Sequence, residues 1–205
     1  MGIEERKQRE RNARVRLILQ AGLATFAKYG YHGTSMDLIA GEAELGKATL
    51  YYYFKSKNEL LLGILKNGLI SFFTRLEEAW QEVDSPIEKL EIVTDIGADF
   101  FRENPDYFKL YNYMASHPSL RERGFRELHE VVVEKFSKIR DIFAVALRRG
   151  LIKPQPLDSL VEIFGSMVMG MGMLSGAHPS PEQLKEKARL IREVFLNGIL
   201  KRSNR

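Results

Sequence analysis

The sequence predicts an all-α protein: an N-terminal three-helix helix-turn-helix domain followed by a larger C-terminal helical body, about nine helices in all. Three observations carry this. Apolar residues recur at three- and four-residue steps along nearly the whole chain, the spacing of one face of an α-helix. No segment sustains the strict alternation of a half-buried strand. Short breaks built from Gly, Pro, Ser and Asn divide the periodic stretches at helix-like lengths.

The first helix is expected from about Arg9 to Tyr29, with Val15, Ile18, Leu19, Gly22, Leu23 and Phe26 as its apolar stripe. Gly30 suits a left-handed stop, Tyr31-His32-Gly33 a loop, and Thr34 or Ser35 the N-cap of the second helix. That helix holds Met36, Leu38, Ile39 and Ala43, and Leu45-Gly46 closes the turn after it. The third helix is short, about Lys47 to Phe54. Lys55-Ser56-Lys57 breaks it, and Ser56 with Glu59 makes a capping box for a long fourth helix reaching about Glu82. Pro86 opens the fifth helix, which runs to about Glu103 and ends at Asn104-Pro105. The sixth spans Asp106 to Ser116. His117-Pro118 separates it from a seventh, Ser119 to about Arg149, which Gly150 stops. Asp158 to Ser175 and Pro181 to about Lys201 are the last two. The domain boundary is expected near the start of the fourth helix, giving a reader over 1–55 and a body over 56–205 with no flexible linker.

Composition narrows the function. The 205 residues are 44% hydrophobic and carry a formal charge of +4, enough apolar content for a real core and a mild preference for anionic partners. Basic residues gather at the N-terminus, where Arg6, Lys7, Arg9, Arg11, Arg14 and Arg16 stand against Glu4, Glu5 and Glu10. With no cysteine, disulfides and thiolate zinc sites are excluded. The N-terminus has no apolar signal core. The weakly polar run Ile163 to Ala177 falls short of the roughly 20 residues a membrane span needs. A soluble cytoplasmic protein, working at the nucleoid and without a membrane partner, is expected.

The most informative stretch is Thr34 to Leu61. Lys47, Thr49, Tyr51, Tyr52 and Tyr53 crowd the short third helix with hydrogen-bonding side chains. Ala40, Leu45 and Leu50 suit inward contacts. At about 100° per residue the phenols cannot all point inward, so some must be exposed, where base edges and phosphates are natural partners. Lys47, Lys55 and Lys57 would flank a duplex, and the start of the fourth helix adds free N–H donors.

Through these and neighbouring residues the chain resembles the TetR family of bacterial transcriptional regulators. The match runs through Phe26, Gly30, Tyr31, Thr34, Ser35, Ile39, Ala40, Ala43, Thr49, Leu50, Tyr51, Tyr53, Phe54, Lys57 and Leu60. The run ATLYYYFKSKNELL, Ala48 to Leu61, is close to the family signature. The motif match covers about residues 10 to 62; beyond it only helix count, length and order agree. The resemblance implies an all-helical homodimer whose third helix reads a palindromic operator in double-stranded DNA. It also implies a C-terminal domain for dimerisation and for a small-molecule effector that alters DNA affinity, repression being the family default. Two positions depart from the pattern. Glu44 stands where the family usually has Gly, with a Gly at 46 instead, and Tyr53 stands where His is common.

The DNA-binding residues this implies are Thr34, Ser35, Lys47, Ala48, Thr49, Tyr51, Tyr52, Tyr53 and Lys57. Lys47 and Thr49 suit base edges, Lys by donating to guanine and Thr by its methyl against thymine. Thr34, Tyr51, Tyr53 and Lys57 suit phosphates, and the arginines before Arg16 the backbone or minor groove. Removing Lys57 as a phosphate anchor would flatten the log–log salt dependence by roughly 0.9.

In the body, aromatic residues cluster around Asn104-Pro105, and Met167, Met169, Met171 and Met173 interleave with Gly165, Gly170, Gly172 and Gly176. Such material makes ordinary core or lines an apolar pocket. The resemblance places an effector pocket among the fourth to eighth helices, with Phe101, Tyr111, Met114, His129 and Met167 as lining candidates for a small, largely apolar ligand. The last two helices carry apolar residues on more than one face, which suits a four-helix homodimer interface. Enzymatic readings find no support: His32, His117, His129 and His178 are scattered, and there is no HExxH, P-loop, GxGxxG or GxSxG. No cofactor or metal is expected. A helical protein-interaction module is the remaining rival, and it leaves the Lys47–Lys57 constellation unexplained.

Overall fold

The computed structural model describes residues 2–173 and 180–200, the side chain of Met173 excepted. His178, Gly176, Ser175 and Lys201 lie outside the described residues. Among those described, the regular elements are helices joined by short turns, with a single isolated bridge between Ile152 and Leu200. The α-helices are α1 (Ile3–Gly33), α2 (Met36–Glu42), α3 (Lys47–Tyr53), α4 (Lys57–Ala79), α5 (Pro86–Glu103), α6 (Pro105–Ser116), α7 (Pro118–Arg148), α8 (Leu157–Met173) and α9 (Pro181–Ile191).

Local chemistry explains most of the boundaries. Ser35, Ser85 and Ser180 each accept a backbone N–H three residues on, from Leu38, Glu88 and Gln183, which satisfies one of the orphan donors at a helix start. Ser56 accepts from the Glu59 N–H at 3.2 Å, while the Glu59 carboxylate reaches back to the Lys55 N–H at 2.8 Å. The capping pair therefore holds the break as well as the helix. Gly150 takes φ 66° after α7, as its position predicts. The Asn104 side chain bonds the Phe100 carbonyl at 2.9 Å and finishes α5.

Four expectations need correction. Helix α1 begins at Ile3, six residues earlier than its apolar stripe suggests, because charged residues propagate a helix as readily as apolar ones. Gly30 has positive φ but ψ 174°, the extended mirror region open essentially to Gly alone, and a further turn follows it before Thr34. The turn after α2 does not pivot on Gly46, which has an ordinary φ of −63°; it pivots on Glu44, at φ 52°. The ninth helix also stops early: Arg192–Leu196 forms a π-helical turn, and Asn197–Ile199 a last short α10.

Packing divides the chain into two units, Met1–Gly68 with Lys109–Leu128, and Leu69–Phe108 with His129–Arg205. In the first, Ile18, Ile39, Leu50, Leu60, Leu61 and Leu65 are fully buried. Gly22 lets α1 approach α4: a Cβ there would stand 3.1 Å from Ile64 and 3.2 Å from Leu60. In the second, α5 packs on α8 and α9, around Phe73, Leu76, Leu90, Phe143 and Phe164. Arg192, in the π-helical turn, reaches the Thr94 hydroxyl at 3.0 Å and pairs with Asp95.

Candidate nucleic-acid interface

Helix α3 is anchored from beneath. Leu50 is fully buried and Phe54 is buried at its end, where the aromatic ring meets Gly63 of α4. Full burial of one Leu contributes about 2 kcal/mol, which pins a seven-residue helix that would not persist alone. Beside the inward Leu50, helical geometry turns Ala48, Thr49, Tyr51 and Tyr52 outward, and these four and Lys47, at the open first turn, are exposed. Tyr52 is 68% exposed and Tyr51 37%, while Tyr53 is half-buried and meets the Tyr52 ring edge-on at 5.1 Å. The sequence expectation that some phenols face solvent therefore holds for two of the three.

Lysines tie the ends of α3 in place. The Lys55 ammonium donates to the Tyr51 and Tyr52 carbonyls at 2.9 and 3.2 Å, a cation on the negative end of the helix. At the start, the Lys47 ammonium lies 2.8 Å from the Asp37 carboxylate on α2. That hydrogen bond and charge raise the Lys47 pKa above the ordinary lysine value. Both side chains are well exposed, so the pair is loose enough for Lys47 to exchange Asp37 for another acceptor.

Two of the residues assigned to phosphate have their polar groups committed inward. Thr34 is only 3% exposed, and its hydroxyl donates to the Gly30 carbonyl at 2.7 Å. The half-buried Lys57 ammonium donates to the Tyr31 carbonyl at 2.6 Å and the Thr34 carbonyl at 2.7 Å. It also sits 4.2 Å above the Tyr31 ring. Burial lowers the Lys57 pKa. Ser35, by contrast, is exposed and caps α2.

The Tyr31 ring stacks on Tyr113 of α6 at 4.5 Å, and the Tyr113 hydroxyl lies 3.2 Å from His32 Nε2. Sequence reading missed this cluster, because residues 81 apart meet only after α6 folds back within the first unit. The Asp37–Lys47 pair was missed for a similar reason, since nothing in a ten-residue separation across a turn announces it.

The candidate effector residues are spread over both units. Tyr111 and Met114 belong to the first, and Phe101, His129 and Met167 to the second. Met114 is fully buried against Gly124, and burial pushes the Tyr111 phenol pKa up. The buried Phe101 ring lies 4.0 Å from Phe108 and directly on the Gly172 backbone, leaving no room for a Cβ there. Met167 is half-buried and His129 exposed. Among the described residues, no helix is long and apolar enough to cross a membrane.

Known proteins resemble this chain in both sequence and fold. The family described as "Bacterial regulatory proteins, tetR family" matches residues 18–64, which span the buried half of α1 through the start of α4. The HTH-type transcriptional regulator RutR of Escherichia coli K12 is 29% identical over 136 residues, covering 65% of this chain and 64% of that protein. The chain thus matches slightly under two thirds of this relative's length. The TetR family transcriptional regulator PfmR of Thermus thermophilus superposes with a TM-score of 0.65 at 25% identity, over 91% of this chain and 96% of that one. FadR of Bacillus subtilis, solved in complex with stearoyl-CoA, superposes with a TM-score of 0.73 over 86% of this chain and 96% of that one. At 18% identity, that last likeness speaks for the fold alone.

Proposed function

Since this chain belongs to the TetR family of bacterial transcriptional regulators, we propose that it binds double-stranded DNA through α3 and releases it in response to a small, largely apolar effector. The observation that carries the reading is the outward row Lys47, Ala48, Thr49, Tyr51 and Tyr52, fixed over a fully buried Leu50. A short helix that presents hydrogen-bonding side chains and is locked from below suits the major groove. Lys47 and Thr49 read base edges, while Ser35, Tyr51, Tyr52 and Tyr53 meet phosphates. Thr34 and Lys57 serve the same interface by holding the α1–α2 corner that presents it. Residues 1–55 act as the reading domain and residues 56–205 as the effector and dimerisation domain.

The protein works as a homodimer on a palindromic operator and represses transcription. Exposed apolar Ile163 on α8, Leu190 on α9 and Val194 in the π-helical turn support a self-complementary face on the last helices. A twofold dimer sets its recognition helices about 34–36 Å apart, one turn of DNA. The effector acts by differential affinity for two states of the dimer, with α4, one unbroken helix from Lys57 to Ala79, as the connecting element. Phe101, His129 and Met167, all within the second unit, are the proposed effector contacts. Acyl-CoAs, whose fatty acyl chain would supply the apolar part of the ligand on a polar carrier, are the first effectors to test, on the precedent of the stearoyl-CoA complex of B. subtilis FadR.

The test is a gel-shift screen of promoter fragments with the purified protein, followed by titration of the shifted fragment with acyl-CoAs of graded chain length. A specific shift that weakens with one chain-length class supports the reading. Affinity unchanged by every effector removes the allosteric half, and failure to bind any duplex removes the whole. Sedimentation with and without the fragment reports the dimer.

A further inference from the structure

We infer that Asp37 and Lys47 act as one reading unit, which recognises a C·G base pair through the cytosine N4 amino group and the guanine O6. This inference rests on the DNA-binding reading above and deepens it: it names a base pair and adds a residue of α2 to those that read it.

The geometry of the pair comes first. Asp37 lies in the first turn of α2, and Lys47 is the first residue of α3. The Lys47 ammonium stands 2.8 Å from one Asp37 carboxylate oxygen and 2.9 Å from the other. The two side chains are 61% and 62% exposed, which leaves the outer edge of the pair open. Recognition helices meet base edges through their first residues, and Lys47 holds that position in α3. An exposed ion pair of this kind contributes little to stability, and an acid on a surface that meets phosphates repels them. Asp37 is accounted for by a partner that needs an acceptor.

The major groove supplies that partner. A carboxylate has about four lone-pair sites and an ammonium three N–H groups, so each keeps capacity after bonding the other. The pair therefore presents one acceptor and one donor a hydrogen-bond length apart. A Watson–Crick pair presents the complement: an amino donor and a carbonyl acceptor, bonded to each other and so about 2.9 Å apart. Donor meets acceptor at both points. The flanking groups then choose between base pairs. Cytosine has no acceptor beside its amino group on this edge, and guanine adds N7 beside O6 for the ammonium. In an A·T pair the adenine N7 faces the carboxylate, and the thymine methyl crowds the approach to O4. C·G fits at both ends, and A·T opposes at both.

The experiment selects duplexes from a fully randomised library with the full chain and with Asp37→Ala, Asp37→Asn, Asp37→Glu and Lys47→Ala, thermal melts confirming each fold. The parent is expected to enrich a motif with one C·G pair in each half-site that Asp37→Ala and Lys47→Ala both relax. Asp37→Glu, which keeps the carboxylate, should retain it. Asp37→Asn should move that position toward A·T, because a carboxamide bonds adenine N6 and N7 together. The selected site is then remade with N4-methylcytosine at that position, which still pairs but has lost the amino hydrogen that faces the groove. Parent affinity should fall about tenfold, and Asp37→Ala should not respond. Asp37 variants that keep the parent's base preference would overturn the inference. So would Asp37 and Lys47 variants that relax different base pairs, or equal losses on N4-methylcytosine in parent and Asp37→Ala. A parent that retains no duplex at all would instead defeat the functional reading, and the paired readout with it.

Discussion

The Lys57 ammonium donates to the main-chain carbonyl of Thr34 at 2.7 Å, so a residue at the start of α4 holds the corner between α1 and α2. The same ammonium takes the Tyr31 carbonyl at 2.6 Å. Lys57→Ala removes this donor from both carbonyls, the Tyr31 carbonyl keeping only the Thr34 N–H at 3.4 Å, and is expected to lower stability by about 1–3 kcal/mol in the absence of DNA. Chemical denaturation of the free protein checks this. An unchanged midpoint would return Lys57 to a purely phosphate-facing role, seen only in the salt slope of DNA binding.

Asp37 holds Lys47 at 2.8 Å on the face proposed to meet DNA. Its carboxylate opposes phosphate and competes for the lysine. Asp37→Asn is therefore expected to raise affinity for nonspecific duplex several-fold and to steepen the salt slope by up to about 0.9. The gain should vanish in the Asp37→Asn/Lys47→Ala double variant. Fluorescence anisotropy with labelled random-sequence DNA reports both, and a gain that survives the double variant would separate Asp37 from Lys47.

Two turns make opposite predictions. Glu44 is held at φ 52°, where a residue with a Cβ costs about 1–2 kcal/mol. Glu44→Gly relieves that strain, offset in part by backbone entropy, for a net gain of up to about 1 kcal/mol. Gly30, at φ 67° and ψ 174°, is in a region that Ala does not share. Gly30→Ala is expected to cost about 1–3 kcal/mol although nothing stands within 4 Å of its Cβ position. Melting temperatures moving the same way in both variants would contradict the backbone assignment.

Glu77 links α4 to α7 by ion pairs to Lys138 at 2.8 Å and Lys135 at 3.4 Å. The Lys138 hydrogen bond, with the charge of both lysines, holds its carboxyl below the usual glutamate value. A carboxyl with a depressed folded pKa contributes stability that is present above its unfolded value and is lost as pH falls through the folded one. Glu77→Gln should therefore melt lower than the parent at neutral pH, by no more than about 1 kcal/mol for so solvent-facing a pair. The two proteins should draw together as pH falls below the unfolded carboxyl value and converge once it passes the lower folded one. A gap that persists in acid would assign the loss to packing.

The Phe101 ring rests on the Gly172 backbone within the second unit. Gly172→Ala is expected to displace the ring and cost about 1–3 kcal/mol by overpacking. If Phe101 contacts effector, the same variant should change effector affinity while leaving effector-free DNA binding intact. Unaltered effector affinity would remove Phe101 from the site.

The sequence alone settled the helical class, the order of the elements, and most stops and starts. Those features are local: Ser35, Ser56, Ser85 and Ser180 cap the helix that follows them, Gly150 accepts a positive φ that other residues resist, and apolar residues at helical spacing fix the buried face. The outward tyrosines of α3 were legible for the same reason, since one turn of helix cannot hide three consecutive phenols. Tertiary structure decided what each exposed-looking charge does. Lys57 turned inward because two carbonyls at the α1–α2 corner accept its protons, and Lys47 met an acid from the preceding helix. Glu44 took the strained turn conformation because chain closure around Leu45 demanded it there and not at Gly46. Long polar side chains choose among partners brought near by folding, and their own positions in the chain do not encode that choice.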